Sequence, residues 1–84
     1  MSILKVSIRQ IKAARALVGW SQSDLADKAG ISVPTIKRLE AAEGDIGGRA
    51  ETGAALVAAL EKAGVEFIAE NGGGAGVRMK KRKR

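Results

Sequence analysis

Apolar side chains recur along most of this chain at the three- and four-residue spacing of an amphipathic α-helix. The spacing predicts four helices, at residues 8–18, 22–29, 32–41 and 51–63. After residue 64 the pattern changes to a period of two, which predicts two short strands around a glycine-rich loop. The expected fold class is mostly α: a four-helix domain with a short C-terminal β-hairpin or extended segment.

The middle of the chain carries the strongest local signals. Ser21 followed by Asp24 has the spacing of a capping box at a helix start. Gly30 suits the left-handed position that ends a helix. Ser32 can cap the next helix, and Pro34 falls in its first turn, where a missing N–H costs little. Two short helices joined by a glycine-containing turn make a helix-turn-helix.

This stretch resembles the helix-turn-helix of the phage-repressor family, which includes lambda repressor, Cro and the Xre-type bacterial regulators. The resemblance covers about residues 8–60 and rests on Ser-Gln at the start of one helix, then Ala-x-x-x-Gly-Ile-Ser, then Thr-Ile-x-x-Leu-Glu. It implies a four-helix, lambda-repressor-like domain that binds double-stranded DNA, usually as a homodimer. The chain departs from the family after residue 64, where a fifth helix would be expected.

Arg15 lies on the apolar stripe of the first helix, where an unpaired charge would be costly. The family resemblance implies that it forms a structural ion pair with Glu40, at the end of the recognition helix. The alternative is a side chain that buries its stem and keeps its charge in water.

The resemblance also implies which residues contact DNA. The helix over residues 32–41 would enter the major groove with its N-terminal end toward the bases. Residues at the start of the preceding helix would contact a phosphate or a flanking base. The predicted DNA-binding residues are Gln22, Ser23, Ser32, Val33, Pro34, Thr35, Lys37 and Arg38. Of these, Val33 and Pro34 have no side-chain donor and suit a thymine methyl group, whereas Arg38 suits guanine.

The amino-acid composition limits which catalytic and metal sites the chain could form. The 84 residues include neither Cys nor His, so thiolate and imidazole ligands or bases are absent, and the carboxylates show no paired spacing. We therefore expect no enzyme activity, no metal and no cofactor. No apolar run is long enough to span a membrane, and no signal-peptide pattern is present, which makes the cytoplasm the expected location.

The net charge of +6 is concentrated at the C-terminus, because six of the fifteen Lys and Arg residues lie at or after Arg78. The expected organisation is a helix-turn-helix domain over residues 1–64, a hairpin over residues 65–79 and a basic tail over residues 80–84. The alternating apolar residues Val65, Phe67, Val77 and Met79 are predicted to make the dimer contact. The tail would add phosphate contacts without sequence preference.

The predicted function is a sequence-specific transcriptional regulator, most simply a repressor. The alternative is a protein-binding module, either an antitoxin or an adaptor that uses the segment 65–79 to hold a partner. An apolar hairpin left exposed would favour this alternative, whereas a hairpin packed on its own helices would not.

Overall fold

The computed structural model describes residues 6–42, 50–69 and 72–80. It contains four helices followed by a two-stranded antiparallel hairpin, so the predicted fold class is confirmed. The elements are α1 (Ile8–Val18), α2 (Gln22–Ala29), α3 (Val33–Ala41), α4 (Ala50–Lys62), β1 (Val65–Ile68) and β2 (Gly76–Met79). The basic tail from residue 81 onward lies outside the described residues.

Local capping fixes the ends of the first three helices. Ser7 and Gln10 form a capping box at the start of α1, and Ser21 and Asp24 form another at the start of α2. Ser32 caps α3, and Gly30 ends α2 in the left-handed conformation with φ 71°. The short turn that these caps impose holds α2 and α3 against each other as a helix-turn-helix.

Helix α1 is the central element of the packing. It lies against α3, α4 and both strands, while α2 packs on α3 and α4. One apolar core results, to which every element except β2 contributes fully buried or nearly buried side chains. Its members are Val6, Ile11, Ala14, Leu25, Ala26, Ile36, Leu56, Leu60, Val65 and Phe67.

The hairpin shares this core. Strands β1 and β2 pair in the register Val65↔Met79 and Phe67↔Val77. Val65 is 0% exposed and Phe67 is 7% exposed, because β1 packs its inner face on the helices. These two side chains are therefore core residues of this chain, and the subunit contact expected of them stays a prediction. Val77 is half-buried, and Met79 remains 44% exposed.

The side chain of Gln10 on α1 connects the helices to the hairpin through buried hydrogen bonds. Gln10 is 5% exposed, and its Nε2 donates to the carbonyl oxygens of Ile68 at 3.2 Å and Gly76 at 3.0 Å. Its Oε1 accepts the backbone N–H of Ser7 at 2.9 Å. Since Ile68 and Gly76 are paired across the strands, one amide bridges both strands and the start of α1.

Candidate nucleic-acid interface

Helix α3 has one buried side and one exposed side. Ile36 and Glu40 are buried, whereas Pro34, Lys37 and Arg38 are exposed. The three exposed residues follow from the 3.6-residue period, which turns them away from the core when Ile36 faces it. The outward side of α3 therefore presents a proline ring and two cations together.

The first turn of α3 is organised by its own hydroxyl groups. The Oγ of Ser32 accepts the backbone N–H of Thr35 at 3.3 Å, and the two side-chain oxygens lie 2.8 Å apart. Ser32 is exposed and Thr35 is half-buried. Val33 is also half-buried and packs against the core, so it has less free surface than Pro34 beside it.

The start of α2 lies beside the end of α3. Gln22 is half-buried and donates from Nε2 to Oε1 of Glu40 at 3.0 Å, whereas Ser23 is exposed. The contact connects one predicted DNA-binding residue to the residue predicted to pair with Arg15. It leaves the carbonyl oxygen and one N–H of the Gln22 amide for another partner.

Arg15 and Glu40 form a bidentate ion pair. The Nε of Arg15 donates to Oε2 of Glu40 at 2.9 Å, and Nη2 donates to Oε1 at 2.8 Å. The third guanidinium nitrogen, Nη1, donates to the backbone carbonyl of Trp20 at 2.9 Å. The side chain of Glu40 is 4% exposed and that of Arg15 is 21% exposed. The pair therefore joins α1 to α3 and to the chain entering α2.

The carboxylate of Glu40 is stabilised in its charged form despite its burial. Burial by itself raises the pKa of Glu40, but hydrogen bonds from Arg15 and Gln22 and the charges of Arg15 and Lys12 outweigh it. The pKa of Glu40 consequently lies below its ordinary value. The hydrogen bond to Glu40 likewise raises the pKa of Arg15, which stays charged at every physiological pH.

Lys12 was not among the residues predicted to bind DNA or to form the ion pair. It is exposed on α1, and its charge acts on Glu40, so it lies on the same side of the domain as the ion pair. The sequence signal was its position three residues before Arg15, which places the two cations on neighbouring turns of one helix face.

These features define a helix-turn-helix in which one side of α3 is anchored in the domain and the other side is exposed. The family model described as "Helix-turn-helix" matches residues 11–50, from the first turns of α1 to the start of α4. This segment is a helix-turn-helix of the Xre and lambda-repressor type, as the resemblance predicted, and the chain is a DNA-binding transcription regulator of that type. The matched family consists of DNA-binding regulatory domains, which implies binding to double-stranded DNA. A comparison with curated proteins gave no significant match.

Across residues 6–42, 50–69 and 72–80, no helix has the length and apolarity needed to cross a membrane. Within the same ranges, every buried side-chain nitrogen and oxygen has a hydrogen-bond partner.

Proposed function

We propose that the protein is a sequence-specific repressor that reads double-stranded DNA with α3 in the major groove. The observation that supports this most is the exposed set Pro34, Lys37 and Arg38 on a helix whose other side is anchored by Ile36 and Glu40. An anchored helix with a free outer face can enter the groove without rearranging the domain. Such a role would place the protein in the cytoplasm.

Specificity would come from two kinds of contact. Arg38 can donate two hydrogen bonds to O6 and N7 of a guanine, and Pro34 can contact the methyl group of a thymine. Ser32 and Thr35 share one hydrogen bond, which uses one of their two O–H groups, so the other O–H would remain available to donate to a base or a phosphate. Lys37 would contact a phosphate, because a lysine is a point charge without the paired geometry of arginine.

Phosphate contacts at the start of α2 would fix the orientation of α3. The N-terminal end of a helix attracts anions through its free N–H groups and its dipole. Gln22 and the exposed Ser23 lie at that end. These contacts position the protein on the duplex without reading the sequence.

Selection of bound sites from random duplex DNA tests this proposal. A defined consensus is expected, and Arg38→Lys should relax the preference at one guanine position with a loss of about 1–3 kcal/mol. Lys37→Gln is the matched control, because loss of a phosphate contact should weaken all sequences about equally. Absence of any enriched sequence would rule out sequence-specific reading.

We further propose that the protein acts as a homodimer through the exposed part of the hairpin. Two recognition helices must lie about 34 Å apart to reach successive major grooves on one side of DNA. Met79 is 44% exposed, and the terminal methyl of its side chain lies over Gly64, where an added Cβ would be 3.0 Å from it. Together with the half-buried Val77, it is the apolar surface that β2 leaves outside the core.

Analytical ultracentrifugation of Met79→Lys tests the dimer. Removing residues 65–84 would be a poor test, because it also removes Val65 and Phe67 from the core. Met79→Lys changes only an exposed side chain and should shift the equilibrium to monomers. Ala58→Lys, on the exposed side of α4, is the matched control and should leave the association unchanged. A dimer that survives Met79→Lys would place the contact elsewhere.

The protein-binding alternative, an antitoxin or adaptor, finds less support in the hairpin. Its strongest apolar side chains, Val65 and Phe67, already belong to the core of this chain. A partner would therefore meet mainly Met79 and the exposed Glu66–Arg78 pair, whose side chains are 3.0 Å apart. This surface is also the one proposed above for the homodimer, so a different protein partner would compete with the dimer, and DNA binding is the better-supported function.

A further inference from the structure

A pocket lies on the domain between the end of α2 and the end of α4. Its volume is about 270 Å³, and its walls are formed by Trp20, Lys28, Ala59, Lys62 and Ala63. None of these five residues belongs to the set predicted to contact DNA. The pocket is therefore a second feature of the surface, which the proposed reading of DNA by α3 does not use.

The lining combines two cations with an apolar floor. Ala59 and Ala63 lie one turn apart on α4 and at its end, and the indole ring of Trp20 faces the same space. The Nζ of Lys28 lies 6.0 Å from the centre of that ring. Lys62, in the last turn of α4, is a second lysine that lines the pocket.

No carboxylate balances these cations within the pocket. The lining residues include no Asp or Glu, and among the parts of the chain that the structure describes neither lysine takes part in an ion pair. Asp24 lies one turn before Lys28 on α2, and the two charges attract each other, but Asp24 does not line the pocket and its Oδ2 accepts the backbone N–H of Ser21 at 2.9 Å as part of the helix cap. The pocket therefore has positive charge beside an apolar surface.

We propose that this pocket binds a small carboxylate with a short apolar body, which goes beyond the DNA-binding function. The carboxylate group lies between the ammonium groups of Lys28 and Lys62, and the apolar body lies on the indole ring and on Ala59. The volume lies just below the usual range of ligand pockets, so only a molecule of few heavy atoms would fit. Because the ligand contacts both α2 and α4, its binding stabilises the folded state.

Titration with hexanoate, followed by two-dimensional ¹⁵N–¹H NMR at constant ionic strength, tests this proposal. Trp20 is the only tryptophan, so the spectrum contains one indole N–H signal, and that signal reports the pocket directly. A saturable shift is expected with hexanoate, and a much smaller one with hexanamide, which has the same apolar body without the charge. Equal shifts with both probes would overturn the proposed role of the lysines.

Two variants locate the binding site. Lys28→Gln and Lys62→Gln each remove one exposed ammonium group and should each weaken hexanoate binding about two- to fivefold, the contribution of one solvated ion pair. Arg9→Gln, an exposed cation on α1, is the control and should leave the affinity unchanged. Full affinity in both pocket variants, or an indole signal that does not move with any carboxylate, would overturn the proposal. None of these outcomes depends on whether the protein binds DNA.

Discussion

Helix α1 is connected to the two halves of the molecule by two different kinds of buried polar contact. On one side, Arg15 forms a bidentate ion pair with Glu40 and fixes the helix-turn-helix. On the other, the neutral amide of Gln10 donates to two carbonyl groups of the hairpin. The charged contact joins residues 25 apart in the sequence, and the neutral one joins residues 58 and 66 apart.

The two contacts differ in what their loss leaves behind. Removal of Arg15 would leave a carboxylate that is only 4% exposed without its main counter-charge. Removal of the Gln10 amide would leave two neutral carbonyl groups without the hydrogen-bond donor that they share. A buried charge costs far more to leave unpaired than a neutral acceptor does. The helix-turn-helix should therefore be more sensitive to one substitution than the hairpin is.

The largest expected effect is that of Arg15→Met. Breaking one side of a buried ion pair costs about 3–5 kcal/mol. In a domain of this size, such a loss lowers the melting temperature by more than about 12 °C. Thermal unfolding followed by circular dichroism measures it. Arg9→Met, an exposed cation on the same helix, is the control and should change stability by less than about 0.5 kcal/mol.

A double variant sharpens the same comparison. Arg15→Met combined with Glu40→Leu removes the unpaired carboxylate as well as the guanidinium group, and replacing both partners of a buried pair is often nearly neutral. The double variant should therefore be more stable than Arg15→Met alone. An unchanged melting temperature in Arg15→Met would show that the ion pair does not hold the domain together.

Gln10→Glu should have the next largest effect. It keeps the oxygen that accepts from Ser7 but replaces the donor facing Ile68 and Gly76 with a second oxygen. Two carbonyl groups lose their donor in a buried site, which costs about 1–3 kcal/mol. The new carboxyl group adds to this loss, because it must either hold a charge or take up a proton in the same site. Hydrogen exchange of the β1 and β2 amides should accelerate more than that of α2 and α3.

Ser7→Ala serves as the control for Gln10→Glu. It removes the hydroxyl that caps α1 but leaves the amide of Gln10 on the hairpin, so it should cost about 1 kcal/mol without selectively loosening the strands. If exchange in the hairpin is the same in Gln10→Glu as in the wild-type protein, the amide does not fasten it.

Acid should weaken the ion pair between Arg15 and Glu40, whereas the hydrogen bonds from the Gln10 amide to the hairpin should not change. The pKa of Glu40 is lower in the folded protein than its ordinary value of 4.5. The ionised carboxylate therefore adds stability above about pH 4.5, and this contribution is lost as the pH falls through the lower folded value. A hydrogen bond from the backbone of Ser21 lowers the pKa of Asp24, and a hydrogen bond from Arg78 lowers the pKa of Glu66. Both carboxylates therefore also contribute to the loss of stability in acid.

Comparison with Glu40→Gln isolates the contribution of Glu40. Urea unfolding at pH 7 should show the wild-type protein to be more stable than Glu40→Gln, and this difference should be smaller at pH 3, which lies below the pKa of Glu40 in the unfolded chain. A difference that is the same at both pH values would contradict the assignment. Asp24 and Glu66 remain in both proteins and cancel from the comparison.

The smallest expected effect on the fold is that of deleting residues 81–84. Lys80 is kept, because its backbone N–H donates to the carbonyl of Gly64 at 2.7 Å and closes the hairpin. The deletion should weaken binding to specific and random DNA about equally, and flatten the salt dependence by up to about 0.9 per lost phosphate contact. Binding titrations at several salt concentrations measure this. An altered consensus site would show that the tail reads bases.

The parts of this structure that sequence predicts best are those set by short-range signals. The caps at Ser21 and Ser32 and the helix end at Gly30 depend on residues within one turn, so their positions follow from the chain itself. Arg15 also stands out, because a charge on an apolar stripe is unusual. The alternation of Val65 and Phe67 correctly predicts a strand.

Long-range choices are less accessible from sequence. Alternation shows that Val65 and Phe67 share one side of a strand, but it does not show which surface covers that side. Gln10 was missed for a related reason. Its spacing from Ser7 is that of a capping box, which accounts for its acceptor, whereas its donors act on carbonyl groups that only the folded chain brings near. The composition-based expectations about metal and cofactor remain predictions.

The contact between Gln22 and Glu40 has a consequence for the entropy of DNA binding. Immobilising a flexible side chain at an interface costs about 0.5–1.5 kcal/mol. In the free protein, the Nε2 of Gln22 is already held 3.0 Å from Oε1 of Glu40. If Gln22 contacts a phosphate as proposed, most of its rotamer freedom is lost when the protein folds, not when it meets DNA. The same carboxylate that steadies the fold would thus make the first contact with the duplex less costly.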